Sequence, residues 1–331
     1  MNPFDSDIFT TARLTASINE AEYLPRRLGQ LGLFQEEGIT TTTVVVEKSG
    51  KQLGLVPAKE RGAPGTPVLP DKRTGHTFSA VHLPTTAQIM ADEAQNIRAF
   101  GSEDTLQALQ DLVDARTLTM ARKLDATHEY QRMGAIRGQI LDADGATELL
   151  NLYTAFGITQ TAVAFVLDTS TTNVQLKCLD VLEAIEVALG DIMFSGVRAL
   201  CGSSFWRKLI THPLVTEAYK YQQSQRLRDD AREELDFGGI IFERYRGAVN
   251  GTPFVPTTEA FAVPMSADEL FITRYAPANY MDAVNTIGLP FYSSSELMDH
   301  GKGIELEAQS NPIHLCTRPG AIIRLHENAL P

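Results

Sequence analysis

EKSGKQLGLVPAKERGAPGTPVLPDKRTGHTF, Glu47–Phe78, is the stretch on which the fold turns. It carries six basic residues, Lys48, Lys51, Lys59, Arg61, Lys72 and Arg73, and is punctuated by five glycines and four prolines. A β-branched run, TTTTVVV (Thr40–Val46), precedes it, and another apolar run begins near Val81–Leu83. Thr and Val pack well on a pleated surface. The segment Gly-Ala-Pro-Gly-Thr-Pro (62–67) cannot be helix interior, because proline removes a donor and clashes with the preceding turn. The pattern predicts a long hairpin or extended loop: out along 41–59, round near 60–70, back along 72–89. About 15 residues a side at about 3.3 Å each makes an arm of about 50 Å, far longer than an ordinary connection. A disordered surface loop is the competing reading. The strand-like flanks favour an ordered arm that finishes folding against a neighbour.

The rest of the chain is acidic. The 331 residues include 41 acidic and 29 basic side chains, a formal charge of -12. Such a surface is not built to coat DNA or an anionic membrane, since both need phosphate neutralisation. The three cysteines, Cys178, Cys201 and Cys316, are too few and too widely spaced for a disulfide framework or a zinc site, so free thiols in a reducing compartment are expected. MNPFDSDIFTTARL lacks the basic and apolar regions of a signal peptide. No apolar run reaches about 18 residues, so no membrane span is expected.

Further along, Ile18–Leu33 is a candidate helix interrupted at Pro25. Ser102 followed by Glu103 and Asp104 reads as a helix start, and Leu106, Leu109, Leu112, Val113, Leu118, Met120 and Leu124 continue at mostly helical spacing. A helix over 102–133 ending at Gly134 is predicted, a spine of about 48 Å. RGQILDADGATELLNL (137–152) reads as strand, turn at Asp142–Gly145, strand. Thr172 and Gln175 have capping-box spacing, and Leu176, Leu179, Leu182, Ile185 and Leu189 mark a helix closing at Gly190. Ser204–Ile210 starts another helix, broken at Pro213 and resumed through Tyr221. Positions 224–236 are a charge-dense helix or loop, and strands follow to the end. The fold class is α+β with at least one mixed sheet.

Chemistry is hard to find in this chain. It has no G-x-G-x-x-G, P-loop, H-E-x-x-H or G-x-S-x-G, so no enzyme motif is present and no cofactor is expected. D-A-D-G at 142–145 lacks the remaining ligands of a calcium loop. DFGG at 236–239 is a turn into a strand rather than a magnesium site. Ser203 and Ser204 suit a helix cap. His314 and Cys316 share one face of a strand, but no second pair of metal ligands accompanies them. The acids between Asp229 and Asp236 alternate with Arg226, Arg228 and Arg232, as on a solvated helix face.

SFWRKLITHPLVTEAY (204–219), DFGGIIFERYRG (236–247), FVPTTEAFAVP (254–264) and GKGIELEAQSNPIHLCTRPGAIIRL (301–325), in this order, resemble the phage major capsid protein E family of lambda-like capsid proteins. The resemblance extends over nearly the full length in element order. It implies the Hong Kong 97-type capsid fold, with an N-terminal arm (1–40), an extended loop (41–89), a peripheral domain (90–173) containing the spine, an axial domain (174–300) and C-terminal strands (301–331) returning to the body.

The implied function is that of a non-enzymatic major capsid protein of a tailed double-stranded DNA phage. Copies of the chain form hexamers and pentamers of an icosahedral shell around the genome. Lys48, Lys51, Lys59, Arg61, Lys72 and Arg73 are then inter-subunit contacts of the extended loop. The implied partners are other copies of the chain, separate scaffolding, portal and decoration or cementing proteins, and packaged DNA held weakly at the inner surface. No membrane partner is implied. The chain would reside in the virion after assembly in the host cytoplasm. An encapsulin-like compartment shell protein of the same fold is the alternative. No lysine–asparagine pair for covalent cross-linking is identifiable, so noncovalent assembly is expected.

Overall fold

The computed structural model describes residues 10–20, 27–49, 73–96, 105–190, 192–221, 234–249, 251–267 and 269–329. The chain divides into two compact units. One comprises residues 1–44, 79–132 and 272–315; the other comprises 45–78, 133–271 and 316–331.

In the first unit, strands Tyr292–Leu297, Gly303–Ser310 and Leu83–Met90 form an antiparallel sheet in that order. Leu83–Met90 was expected on the return limb of the long hairpin; instead it pairs along its whole length with Gly303–Ser310. Its alternating pattern puts Ile89 into the core while Gln88 and Met90 face out, as a one-sided sheet requires. Gly303 is needed at the end of this ladder, because a Cβ there would lie 2.2 Å from the Ile89 carbonyl oxygen. Helix Thr11–Glu20 lies on the sheet, with Leu14 and Ile18 buried beside Ile304, Leu306 and Ala308. Its position is fixed by polar bonds as well. Thr15 Oγ1 donates to the Ser293 carbonyl and accepts from the Ser293 amide, both at 3.2 Å, and Asn19 donates to the Phe291 carbonyl at 2.8 Å. Of the candidate helix Ile18–Leu33, the described residues give the end of Thr11–Glu20 and the helix Arg27–Leu31.

The long helix spans Thr105–Arg137, 33 residues and about 50 Å. Val113, Met120, Ala121 and Leu124 join the first unit's core at helical spacing. Gly134 does not end it. The helix passes through Gly134, where a Cβ would stand 3.0 Å from the backbone of Gln139 and Ile140, and ends at Gly138, whose φ is +78°. Glycine at 134 therefore serves close packing, and glycine at 138 serves the turn. The 137–152 hairpin forms as Gln139–Leu141 against Glu148–Asn151. Asp144 Oδ1 accepts from the amides of Ala146 and Thr147 within its turn.

The second unit is organised by a six-stranded mixed sheet in the order Ala162–Ala164, Ile323–His326, Glu259–Met265, Gly196–Cys201, Ile240–Arg244, Glu234–Phe237. Ile240–Arg244 runs parallel to Gly196–Cys201. That geometry needs a crossover, and helices Ser203–Thr211 and Pro213–Tyr221 lie between these strands in the chain. Phe165, Phe205 and Phe242 are fully buried, and Phe165 meets the other two edge-on at centroid distances of 5.5 and 6.2 Å. Ser203–Thr211 is capped at Gly202 rather than by a serine side chain. A Cβ at Gly202 would lie 2.0 Å from the Pro256 oxygen, and the Ser204 and Phe205 amides donate to the Thr257 carbonyl. Glu234–Phe237, expected in a charged helix or loop, is an edge strand, joined to Ile240–Arg244 through Gly238 and Gly239 at φ +60° and +82°. DFGG is thus a two-residue hairpin turn, and both central residues need positive φ.

Candidate assembly surfaces

The described part of the basic arm is the hairpin Thr43–Ser49 with Arg73–Ser79. Its base is held by side chains of the second unit: His76 and Phe78 pack on Phe156 at 5.0 and 5.7 Å. The expected contact residues Lys48 and Arg73 have their backbones on these paired strands. Their side chains, and Lys51, Lys59, Arg61 and Lys72 entirely, lie outside the described residues.

Helix Val174–Leu189 presents a surface missed from the sequence. Val174, Cys178, Val181, Ile185 and Leu189 are the buried face. Leu176 and Leu179, expected to face inward, are 52% and 53% exposed, and Val187 is 78% exposed. Both stripes have helical spacing, and the longer, unbroken one wins the core. Glu183 and Glu186 are also outward. The helix cap is Asn173, which accepts from the Leu176 amide at 3.1 Å. Thr172, expected to cap, donates instead to the Val166 carbonyl at 3.0 Å.

Within the first unit a polar cluster is buried apart from its carboxylate. Arg132 donates to Glu36 at 2.7 Å and to the Tyr275 hydroxyl at 3.1 Å, and lies over the Phe34 ring at 5.7 Å. His128 stacks on Phe291 and meets His314 edge-on, both at 5.4 Å. His128 bonds Ser310 Oγ at 2.9 Å, while that hydroxyl donates to the Pro290 carbonyl at 2.6 Å. Ser310 is therefore the acceptor, and His128 holds its proton on Nε2. Burial and the nearby Arg132 charge push His128 down to about 3; burial, His128 and Arg132 hold His314 well below its ordinary value. Both rings are neutral structural groups. Cys178, Cys201 and Cys316 are buried free thiols whose pKa burial raises. Among the described residues no group of His, Cys, Asp and Glu is placed to hold a metal ion, and no helix is long and apolar enough to cross a membrane.

The family model for phage major capsid protein E matches residues 10–326. The major capsid protein of Pseudomonas phage KPP10 is 33% identical over 322 residues, covering 89% of this chain and 90% of that protein. The major capsid protein of Salmonella phage Felix O1 is 25% identical over 362 residues, covering 97% of each. Among solved structures, the capsid of cyanophage P-SCSP1u superposes with a TM-score of 0.51 at 12% identity, covering 93% of this chain and 91% of that one. The structural likeness, at so low an identity, is of fold, and it places the α+β architecture in the Hong Kong 97-type class. By the extent of its family match and by its identity to curated relatives, the chain belongs to the phage major capsid protein E family.

Proposed function

We infer that this chain, a structural protein of a tailed-phage capsid and not an enzyme, assembles with copies of itself through hexamers and pentamers into an icosahedral shell around double-stranded DNA. The family match over residues 10–326 carries this reading. It also disfavours the encapsulin-like compartment shell, since both curated relatives are phage capsid proteins.

In this reading the extended loop is expected within 41–89, and its segment from Glu47 to Phe78 is the reaching arm. It reaches over an adjacent subunit, where Lys48, Lys51, Lys59, Arg61, Lys72 and Arg73 meet acidic surface. One exposed ion pair contributes about 0–1 kcal/mol. Repetition around a closed shell, with backbone pairing and apolar burial, makes the sum large. The N-terminal arm (1–40), peripheral domain (90–173), axial domain (174–300) and C-terminal strands (301–331) are the parts expected in the assembled subunit. Scaffolding, portal and decoration proteins come from other chains, assembly takes place in the host cytoplasm, and DNA touches the inner surface weakly because an acidic subunit gains little from phosphate.

The test is negative-stain electron microscopy with sedimentation velocity, on the purified protein with and without neighbouring phage gene products. Closed shells, hexamers or pentamers are expected. A monomer or dimer under every condition overturns the reading. Deleting residues 60–70 should leave a folded subunit that no longer forms shells; normal shells from that variant would remove the arm from the assembly mechanism.

A further inference from the structure

We propose that the outward face of helix Val174–Leu189 is the surface that receives the basic arm of a second copy of this chain. The inference rests on the shell-subunit reading above and adds the acceptor to it. Leu176, Leu179 and Val187 are half or more exposed on one face of the helix. On a helix such a stripe costs solubility unless something covers it. Acids flank it. Lys177 pairs with Asp180 at 3.5 Å, but Glu183 and Glu186 are exposed and form no ion pair among the described residues.

Two considerations select the occupant. The first is charge. The chain is net -12, yet Glu47–Phe78 holds six basic residues against three acidic ones, Glu47, Glu60 and Asp71. Leu53, Leu55, Val56, Val68 and Leu69 are interspersed with them. A basic strip with apolar residues matches an acidic helix face with an apolar stripe. The second is size. The helix has 16 residues, a length of about 24 Å. A stable interface takes about 800 Å² from each partner, more than one such face supplies. An extended strip that continues onto further surface satisfies this; a rigid face-to-face dimer centred on the helix does not. The contact is also heterologous, arm against helix, which is the geometry that closes rings.

The native cysteines are buried free thiols, so introduced cysteines report cleanly. Three double variants pair Glu183→Cys with Lys51→Cys, Lys59→Cys or Lys72→Cys, and each is assembled and then oxidised with copper–phenanthroline. The proposal expects at least one variant to give a reductant-sensitive ladder from dimers to closed rings on a denaturing gel. Intact shells that yield only monomers in all three variants overturn it, and leave the capsid reading standing.

A charge exchange covers the case in which the cysteine variants do not assemble. Glu183→Lys with Glu186→Lys should lower the assembled fraction about tenfold, and adding Lys59→Glu with Arg61→Glu should restore it. Loss without rescue, in subunits whose melting is unchanged, overturns the proposal. Absence of shells from the unaltered chain would instead be failure of the function itself.

Discussion

Arg132 and Glu36 form a 2.7 Å ion pair in which the guanidinium side chain is 3% exposed and the carboxylate side chain 42%. The asymmetry sets what each substitution does. Removing Glu36 leaves a buried cation with less compensation, whereas removing Arg132 leaves a carboxylate that water already reaches and that still accepts from the Tyr275 hydroxyl at 2.8 Å. Breaking a buried pair from the exposed side costs about 1–3 kcal/mol, at the low end where solvent screens the partner. Glu36→Ala should therefore destabilise the subunit more than Arg132→Met in urea melts. The reverse order would show that the arginine's apolar stem, not its charge compensation, is what matters.

The neutral pair His128 and His314 makes stability depend on pH. Their folded pKa values lie below the unfolded value near 6.5, at about 3 for His128. The unfolded chain then binds protons that the folded chain refuses. Stability is complete above about pH 6.5 and falls as the pH drops from there towards the folded pKa. His128 contributes a loss of about 2 kcal/mol between pH 7 and 5, and His314 adds a loss of the same sign. Ser310 bonds His128, Thr273 bonds His314, and the Arg132 charge stands beside both rings, with Glu36 and Asp125 on the cavity that His128 lines. His128→Gln should flatten the pH dependence of the melting free energy by about 2 kcal/mol between pH 7 and 5. An unchanged slope would assign acid sensitivity to carboxylates instead.

Long elements with one dominant signal were legible in the sequence. The spine, the DADG hairpin and the DFGG turn each rest on local spacing or on glycines that no other residue replaces. What was not legible depends on residues distant in the chain. Glu36, the helix pair His128 and Arg132, and His314 come from three separate stretches, and no spacing announces that the three meet. Leu83–Met90 reads equally well as the return limb of an arm and as a body strand until Gly303–Ser310 is placed beside it. The two apolar stripes of Val174–Leu189 overlap, so periodicity gave the helix but not its inward face. The basic residues of the arm are legible in the sequence only as charge among glycines and prolines.

Gly238 and Gly239 should respond differently to alanine. At Gly238 φ is +60° and a Cβ would lie 2.6 Å from the Cβ of buried Cys178; at Gly239 φ is +82° and the nearest atom is the Leu182 Cδ1, 3.3 Å away at the end of a flexible side chain. Gly238→Ala should cost about 2–4 kcal/mol and Gly239→Ala about 1–2 kcal/mol, both at positive φ but only the first with a backbone-anchored clash. Thermal melts of the two variants test the order. Equal losses would mean that the turn relaxes away from the helix.

The cap of helix Val174–Leu189 separates two neighbouring residues with similar chemistry. Asn173 accepts from the Leu176 amide, while Thr172 ties the preceding turn to Val166. Asn173→Ala removes the partner of an amide at the helix start and should cost about 1 kcal/mol. Gln175→Ala should be nearly silent, because Gln175 is exposed and a capping box would need the cap one residue earlier. Chemical denaturation of the two variants decides the matter. A loss at Gln175 equal to that at Asn173 would restore Thr172 as the cap in solution, and would shift the start of the helix whose outward face is assigned to the neighbouring arm.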